Sequence, residues 1–423
     1  MSLAYFALIL AIVSASILEI AGAHFSAPMG MAAAALGVLA ASLSARKADY
    51  DHYLRAVAWT RWFLVIIPVG IALQLLPVWL SLAHPIWASA REAVGGLSFG
   101  FITADVGLTL NALALALSAL ALIGVTILVS RDRGRAELIL FVLGGVTTVS
   151  ALVLILHRPS PTSANASSTG LATTLGGLGL LVNLAVMQLA AERAETHHAL
   201  SRSIAIGLCG LVGALICGLA VFGFSSTGSA VGATFGIVLV LLILLIRRLD
   251  LSAPAVAALS LAALVGAAIV LAFVFEKGSG SALLRLAPDM AGELKPTLER
   301  MLADTRWFGA GAGAFAAVSR IYQSDPGQLL PAPSVAAAIF VDMGWVGLVA
   351  ALAVLAALLL RLFFGALARG RDSFFPAAAA ACLSFTLVEA FSGPGLLRPA
   401  AIFCLSAIAG LGLSQSIGQS SRS

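Results

Sequence analysis

The chain has 423 residues, of which 61% are hydrophobic and only 10% charged, with a mean hydropathy of +1.06 and a net charge of +5. Soluble proteins of this length carry roughly a quarter charged residues, so a water-facing globular enzyme is excluded and most of the surface must face lipid. No nucleic-acid partner is expected.

Runs of about 18 or more apolar residues are candidates for membrane-crossing helices. Taken in chain order they cover 5–23, 28–45, 60–82, 107–130, 136–156, 171–191, 203–223, 229–246, 255–275, 334–360, 375–391 and 399–415. The expected fold is therefore all-α, a polytopic transmembrane helix bundle of about 12 spans. The first run, Tyr5–Ala23, has no basic residues ahead of it and reads as a retained span, not a cleaved leader. Three regions follow: a bundle of spans one to nine over 1–275, a polar loop with short amphipathic helices over 276–333, and spans ten to twelve with a short tail over 334–423.

The basic residues test this count. If the N-terminus is cytoplasmic, fifteen Lys and Arg fall in inside segments, and only Arg91, Arg158 and Arg398 fall in short outside loops. The other six (Lys277, Arg285, Lys295, Arg300, Arg306 and Arg320) lie in the long loop, which does not count toward the positive-inside rule. The asymmetry predicts cytoplasmic termini and a long loop facing out.

Chemistry in such a bundle is sought where polar groups cluster, because charge in lipid is costly. In the long loop, Pro296–Ala303 has helical character, with Glu299 and Arg300 between Leu298, Met301 and Leu302. That pattern also suits an interfacial helix with a solvated face. Asp342 lies a few residues into the tenth span, Glu19 near the outer end of the first and Glu389 near the outer end of the eleventh. Each is either functional or paired with an arginine such as Arg398.

Several activities have no support. Cys209, Cys217, Cys382 and Cys404 all sit in apolar runs without metal spacing. The long loop has no histidine, and neither HExxH, CxxC nor GxxxxGK[ST] occurs. His197 and His198 are adjacent and would point apart on a helix, which argues for a solvated loop. No metal or other cofactor is expected.

The stretch Arg306–Phe315, RWFGAGAGAF, has glycines at Gly309, Gly311 and Gly313. It lacks the lysine and the strand-to-helix setting of a phosphate loop. Its Gly-Ala alternation instead permits a close-packed backbone turn. Trp307 and Phe308 would lie at headgroup level, with Arg306 beside the phosphate zone.

The run TRWFGAGAGAFAAVSRIYQ, followed by PSVAAAIFVDMGWVGL, resembles the signature of the O-antigen ligase and O-antigen polymerase superfamily. Gly309, Gly311, Gly313, Phe315 and Tyr322 match its glycine-rich outer-loop motif; Asp342, Gly344, Gly347 and Leu348 match the acidic motif opening the next span. Upstream, LPVWLSLAHPIWASA and then ITADVGLTLNAL are similar to the family's first outer loop. Together with span count and topology, the likeness covers most of the chain.

The resemblance implies transfer or polymerisation of undecaprenyl-diphosphate-linked glycan onto a lipid or glycan acceptor, beside other polysaccharide assembly proteins. No nucleotide is needed, since the lipid diphosphate is the leaving group. Arg306 and Arg300, with Asp342, are then the expected catalytic residues; Arg320, Arg91, Tyr322 and Trp307 would bind substrate, and the three glycines would shape the loop. Arginines would neutralise the diphosphate while a base activates the acceptor hydroxyl. The chain departs from the family at three polar positions. Pro333 and Ser334 stand where the family has His-Asn, SSTGSAVG (225–232) lacks the family's arginine, and the arginine expected before the glycine loop falls near Glu293. A 12-span transporter or flippase of lipid-linked glycan is a competing expectation, and a catalytically silent scaffold of polysaccharide assembly is another.

Overall fold

The computed structural model describes residues 2–22, 25–79, 83–94, 99–156, 166–195, 200–224, 226–249, 294–305, 307–323, 330–370 and 372–417, with isolated positions 259, 262, 266, 283 and 284. The chain is an all-α polytopic helical bundle. Helices α1 (Ser2–Ile20) and α2 (Ser26–Ser44) lead into a short α3 (Lys47–Val57), which turns through 80° into α4 (Arg61–Gln74). Strand β1 (Pro77–Trp79), helix α5 (Ile86–Val94) and strand β2 (Phe99–Phe101) come next. Then follow α6 (Val106–Val129), α7 (Arg133–Leu156), α8 (Ala166–Glu195), α9 (Leu200–Phe224) and α10 (Thr227–Arg248). The remaining helices are α11 (Leu294–Ala303), α12 (Phe315–Tyr322), α13 (Val335–Ala368), α14 (Phe374–Ser392) and α15 (Pro399–Gln415).

Among the described residues, nine helices are long and apolar enough to cross a membrane, and the bent pair α3–α4 makes ten if taken as one span. Helix α15 is apolar but has 17 residues. The expected ninth span, 255–275, lies outside the described residues apart from three positions.

The third span needs correction. A single helix was expected over 60–82, yet α4 stops at Gln74 after 14 residues. At 1.5 Å per residue that is only about 21 Å, short of the roughly 30 Å hydrocarbon core. The apolar run continues past the helix because Pro77–Trp79 pairs antiparallel with Phe99–Phe101, Val78 opposite Gly100. Trp79 stacks on Phe99 and Trp87 on Phe101, each at 5.3 Å between rings. Hydropathy alone reads such a strand as more helix.

Helices α8 and α14 form the centre: 83% of the apolar window of each is buried, against 50% or less for the other spans. Lipid is as apolar as a leucine side chain, so helices associate in it through small residues that let backbones approach. Gly177 of α8 illustrates this, since a Cβ there would stand 2.2 Å from the Phe385 ring of α14. The run Ala377–Ala381 gives α14 the same narrow profile.

The two ends of the bundle differ. At one, Arg131 pairs with Asp49, Arg133 with both Glu137 and Asp372, and Arg193 with Glu137. At the other, Arg398 pairs with Glu19 at 3.5 Å, and there α11 and α12 pack on the first turns of α13 through Leu298, Met301, Leu302, Phe315, Phe340 and Val341. This second end carries the glycine run and is called the loop end below.

Candidate functional site: a glycine loop clamped on a broken helix

Helix α13 starts with Ser334 as its N-cap, the hydroxyl accepting the Ala337 N–H at 3.2 Å. Ser334 thus does a helix-starting task at the position where the resemblance expected an Asn. The helix breaks at Gly344, whose φ of +67° and ψ of −166° are non-helical. A break leaves the carbonyls of the preceding turn without their usual partners. The glycine run supplies them: Ala310 N–H donates to Val341 O and Gly311 N–H to Asp342 O, both at 2.8 Å.

The Asp342 side chain completes the clamp. Its Oδ2 accepts the Gly313 N–H at 2.9 Å, and its Oδ1 the Phe315 N–H at 2.8 Å, at the start of α12. A carboxylate at a helix start is favoured both by the free amides and by the helix dipole. Gln74, buried at the end of α4, closes the other side. Its Nε2 donates to the carbonyls of Phe308 and Asp342, both at 3.1 Å, and its Oε1 accepts the Ala312 N–H at 2.9 Å.

The glycines have distinct steric reasons. Gly309, Gly311 and Gly313 all have positive φ, at 68°, 113° and 80°. A Cβ on Gly309 would stand 2.4 Å from the Asp342 carbonyl carbon, and one on Gly311 would stand 2.0 Å from Thr103 Oγ1. Thr103 links this loop to α5 and α6: its carbonyl accepts the Trp87 Nε1–H at 2.9 Å, and its hydroxyl bonds that of Thr109 at 2.6 Å.

This geometry bears on anion binding. The backbone N–H groups of Ala310, Gly311, Ala312, Gly313, Ala314 and Phe315 are all engaged within the protein. Between Ala310 and Phe315 the loop therefore offers no free amide to a phosphate.

The expected site residues fall as follows. Arg306 lies outside the described residues. Arg300 on α11, Arg320 on α12 and Arg91 on α5 are exposed, and none forms an ion pair among the described residues. Arg300 makes only a local bond, Nε donating to Pro296 O at 3.4 Å. Trp307 is 71% exposed beside exposed Phe308. Tyr322 donates its hydroxyl to Asp304 at 3.1 Å, and burial together with the Asp304 carboxylate pushes its ionisation up, so it stays a donor. Asp342, Gly309, Gly311 and Gly313 form one unit. Arg91 joins them only indirectly, through the Trp87–Thr103 contact one turn earlier on its helix.

Asp342 has both carboxylate oxygens committed to amides in this arrangement. Sequence reasoning missed Gln74 and Thr103. A lone amide in the apolar stretch Arg61–Leu76 was the available signal for Gln74; Thr103 offered none. Among the described residues no group of three His, Cys, Asp or Glu could hold a metal ion. No protein-family model matches the chain, and no curated protein sequence matches it.

Proposed function

We propose that the protein is an O-antigen ligase- or polymerase-like membrane protein that transfers or polymerises undecaprenyl-diphosphate-linked glycan at the outer face of the bacterial inner membrane. One observation carries this reading. The two separate stretches on which the resemblance rests meet, the carboxylate of Asp342 bonding the amides of Gly313 and Phe315. The motif is thus a physical unit, which chance similarity does not require. Arg300, Arg320 and Arg91 form no ion pair among the described residues, whereas Arg131, Arg133 and Arg193 at the opposite end are tied into ion pairs, which adds support. Exposed guanidinium groups without an ion pair among the described residues suit a lipid diphosphate, which they would bind in bidentate fashion. Asp342 holds the glycine loop at the same end of the bundle.

A second reading, a carrier of lipid-linked glycan, is favoured by the break in α13, because discontinuous spans often form substrate sites in transporters. Gene deletion separates the two. Loss of long surface chains indicates a polymerase, and free lipid-linked chains with bare acceptor on the outer leaflet indicate a ligase. Lipid-linked glycan trapped on the inner leaflet indicates a carrier. Unchanged surface polysaccharide and unchanged lipid-linked intermediates overturn both readings.

A further inference from the structure

A second polar cluster lies inside the bundle, apart from the glycine loop. Glu389 of α14 is fully buried between α8 and α10. Its Oε1 accepts the hydroxyl of Thr174 at 2.8 Å, and the Ser229 hydroxyl faces the same carboxyl group. Its Oε2 is buried without a hydrogen bond of normal geometry. The described elements around it present no cation: α8 offers Thr173 and Thr174, α10 offers Ser229, α13 begins with Ser334, and Arg398 at the start of α15 is engaged with Glu19. An ionised carboxylate in such a setting would cost several kcal/mol, of the order set by desolvation. Among the described residues no cation offsets such a charge, and the smallest positive charge that can is a proton.

The cluster also has a way out. Ser229 Oγ lies 3.2 Å from Ser226 Oγ, and Ser226 is the half-buried N-cap of α10 at the loop end. We propose that Glu389, Ser229 and Ser226 form a proton-exchange site, in which the buried carboxyl binds and releases one proton through a hydroxyl chain opening at the loop end. On release, the carboxyl proton passes to Ser229, whose own proton moves to Ser226 and from there to water. Both hydroxyls are restored, and the carboxylate keeps the one negative charge, held by the Thr174 donor.

The site lies next to the start of α13. The Glu389 carbonyl accepts the Gly393 N–H at 3.0 Å, and the Gly393 carbonyl accepts the N–H of Val335, the first residue of α13, at 3.1 Å. Two backbone hydrogen bonds thus join Glu389 to the start of the broken helix that carries Asp342.

The test is infrared difference spectroscopy of the full-length protein in lipid nanodiscs as pH is raised. A protonated carboxyl in an apolar site has a C=O stretch resolved from the amide bands. The expected result is one such band that is lost with rising pH, is missing in Glu389→Gln, and shifts in Ser229→Ala, which removes a hydroxyl but not the carboxyl. The absence of any band that is lost with rising pH, or a spectrum left unchanged by Glu389→Gln, overturns the proposal. Should Glu389→Gln fail to fold, the serine variant decides: an unshifted band overturns it.

Discussion

The carboxylate of Asp342 accepts the backbone N–H of Gly313 at 2.9 Å, joining a broken membrane helix to a loop 29 positions earlier. The same side chain starts α12 by accepting the Phe315 N–H. Asp342→Ala would orphan both amides, at about 1–3 kcal/mol each. Asp342→Asn keeps one acceptor but turns an NH2 toward the second amide. The expected order of loop protection in limited proteolysis is therefore wild type, then Asn, then Ala. Wild-type protection of the alanine variant would remove Asp342 from the clamp.

The glycine run should respond to substitution by position. Gly311→Ala combines a positive φ, about 1–2 kcal/mol for a residue with a Cβ, with a near-collision on Thr103. Gly313→Ala has the same backbone cost, but its nearest neighbour is the Leu108 carbonyl at 3.2 Å. Gly145 on α7 has nothing within 4 Å of an added Cβ, so Gly145→Ala is a control expected to be neutral or stabilising by about 0.5–1 kcal/mol. Thermal unfolding in detergent should rank the three in that order, Gly311→Ala lowest. Equal midpoints for Gly311→Ala and Gly145→Ala would mean the loop is a linker.

The proposed orientation is checked with single added cysteines. Ala303→Cys on α11 should react in intact cells with a membrane-impermeant maleimide, and Asp132→Cys at the arginine-paired end only after permeabilisation. The four native cysteines sit within α9, α14 and α15, and three of them are buried, so background labelling is low. The reverse pattern would refute the outward loop.

An acid sensitivity is expected at the other end. His52 on α3, a polar helix lying at that end, bonds Ser414 Oγ at 3.0 Å. Ser414 itself donates to Ile127 O, so His52 Nε2 is the donor of the pair. Burial first, then Arg131, Arg55 and Arg369, outweigh Asp49 and depress the imidazole from 6.5 to about 4. Between those values the unfolded chain holds more protons than the folded one, so this contribution is complete above pH 6.5 and falls as pH drops toward 4. His52→Gln keeps a donor for Ser414 without the titration. Its unfolding midpoint should decline less than that of wild type between neutral and mildly acid pH; parallel declines would exclude His52 as the source.

Under the proposed function, Arg306 contacts the lipid diphosphate. A guanidinium grips phosphate oxygens with a fork that an ammonium lacks, so Arg306→Lys should impair polysaccharide assembly nearly as much as Arg306→Ala at normal abundance. Full activity of the lysine variant beside an inactive alanine variant would mean the side chain only snorkels to headgroups. Full activity of both would leave Arg300, Arg320 and Arg91 as the anion-binding candidates.

Much of the architecture was legible in the sequence because membrane helices announce themselves locally. A run of apolar residues must satisfy its own backbone in lipid, so α1, α2, α6 to α10, α13 and α14 follow from composition alone. The same rule misread 60–82, where an apolar run became a short helix and a strand, since hydropathy measures what a residue avoids and not which backbone group it bonds. Glycines at 309, 311 and 313 signalled a tight turn, but not that its amides would be used up on Val341, Asp342 and Gln74. Those bonds exist only because α13 breaks at Gly344 and frees two carbonyls at the place where α4 ends. Arg398 could have served either Glu19 or Glu389, and spacing could not choose. Helix packing gave it to Glu19 and left Glu389 among hydroxyls. Local chemistry determined the helices; which polar groups were left for one another was decided when the helices packed, because hydrogen bonds and ion pairs reach only about 3 Å and partners far apart in sequence meet only in the assembled bundle.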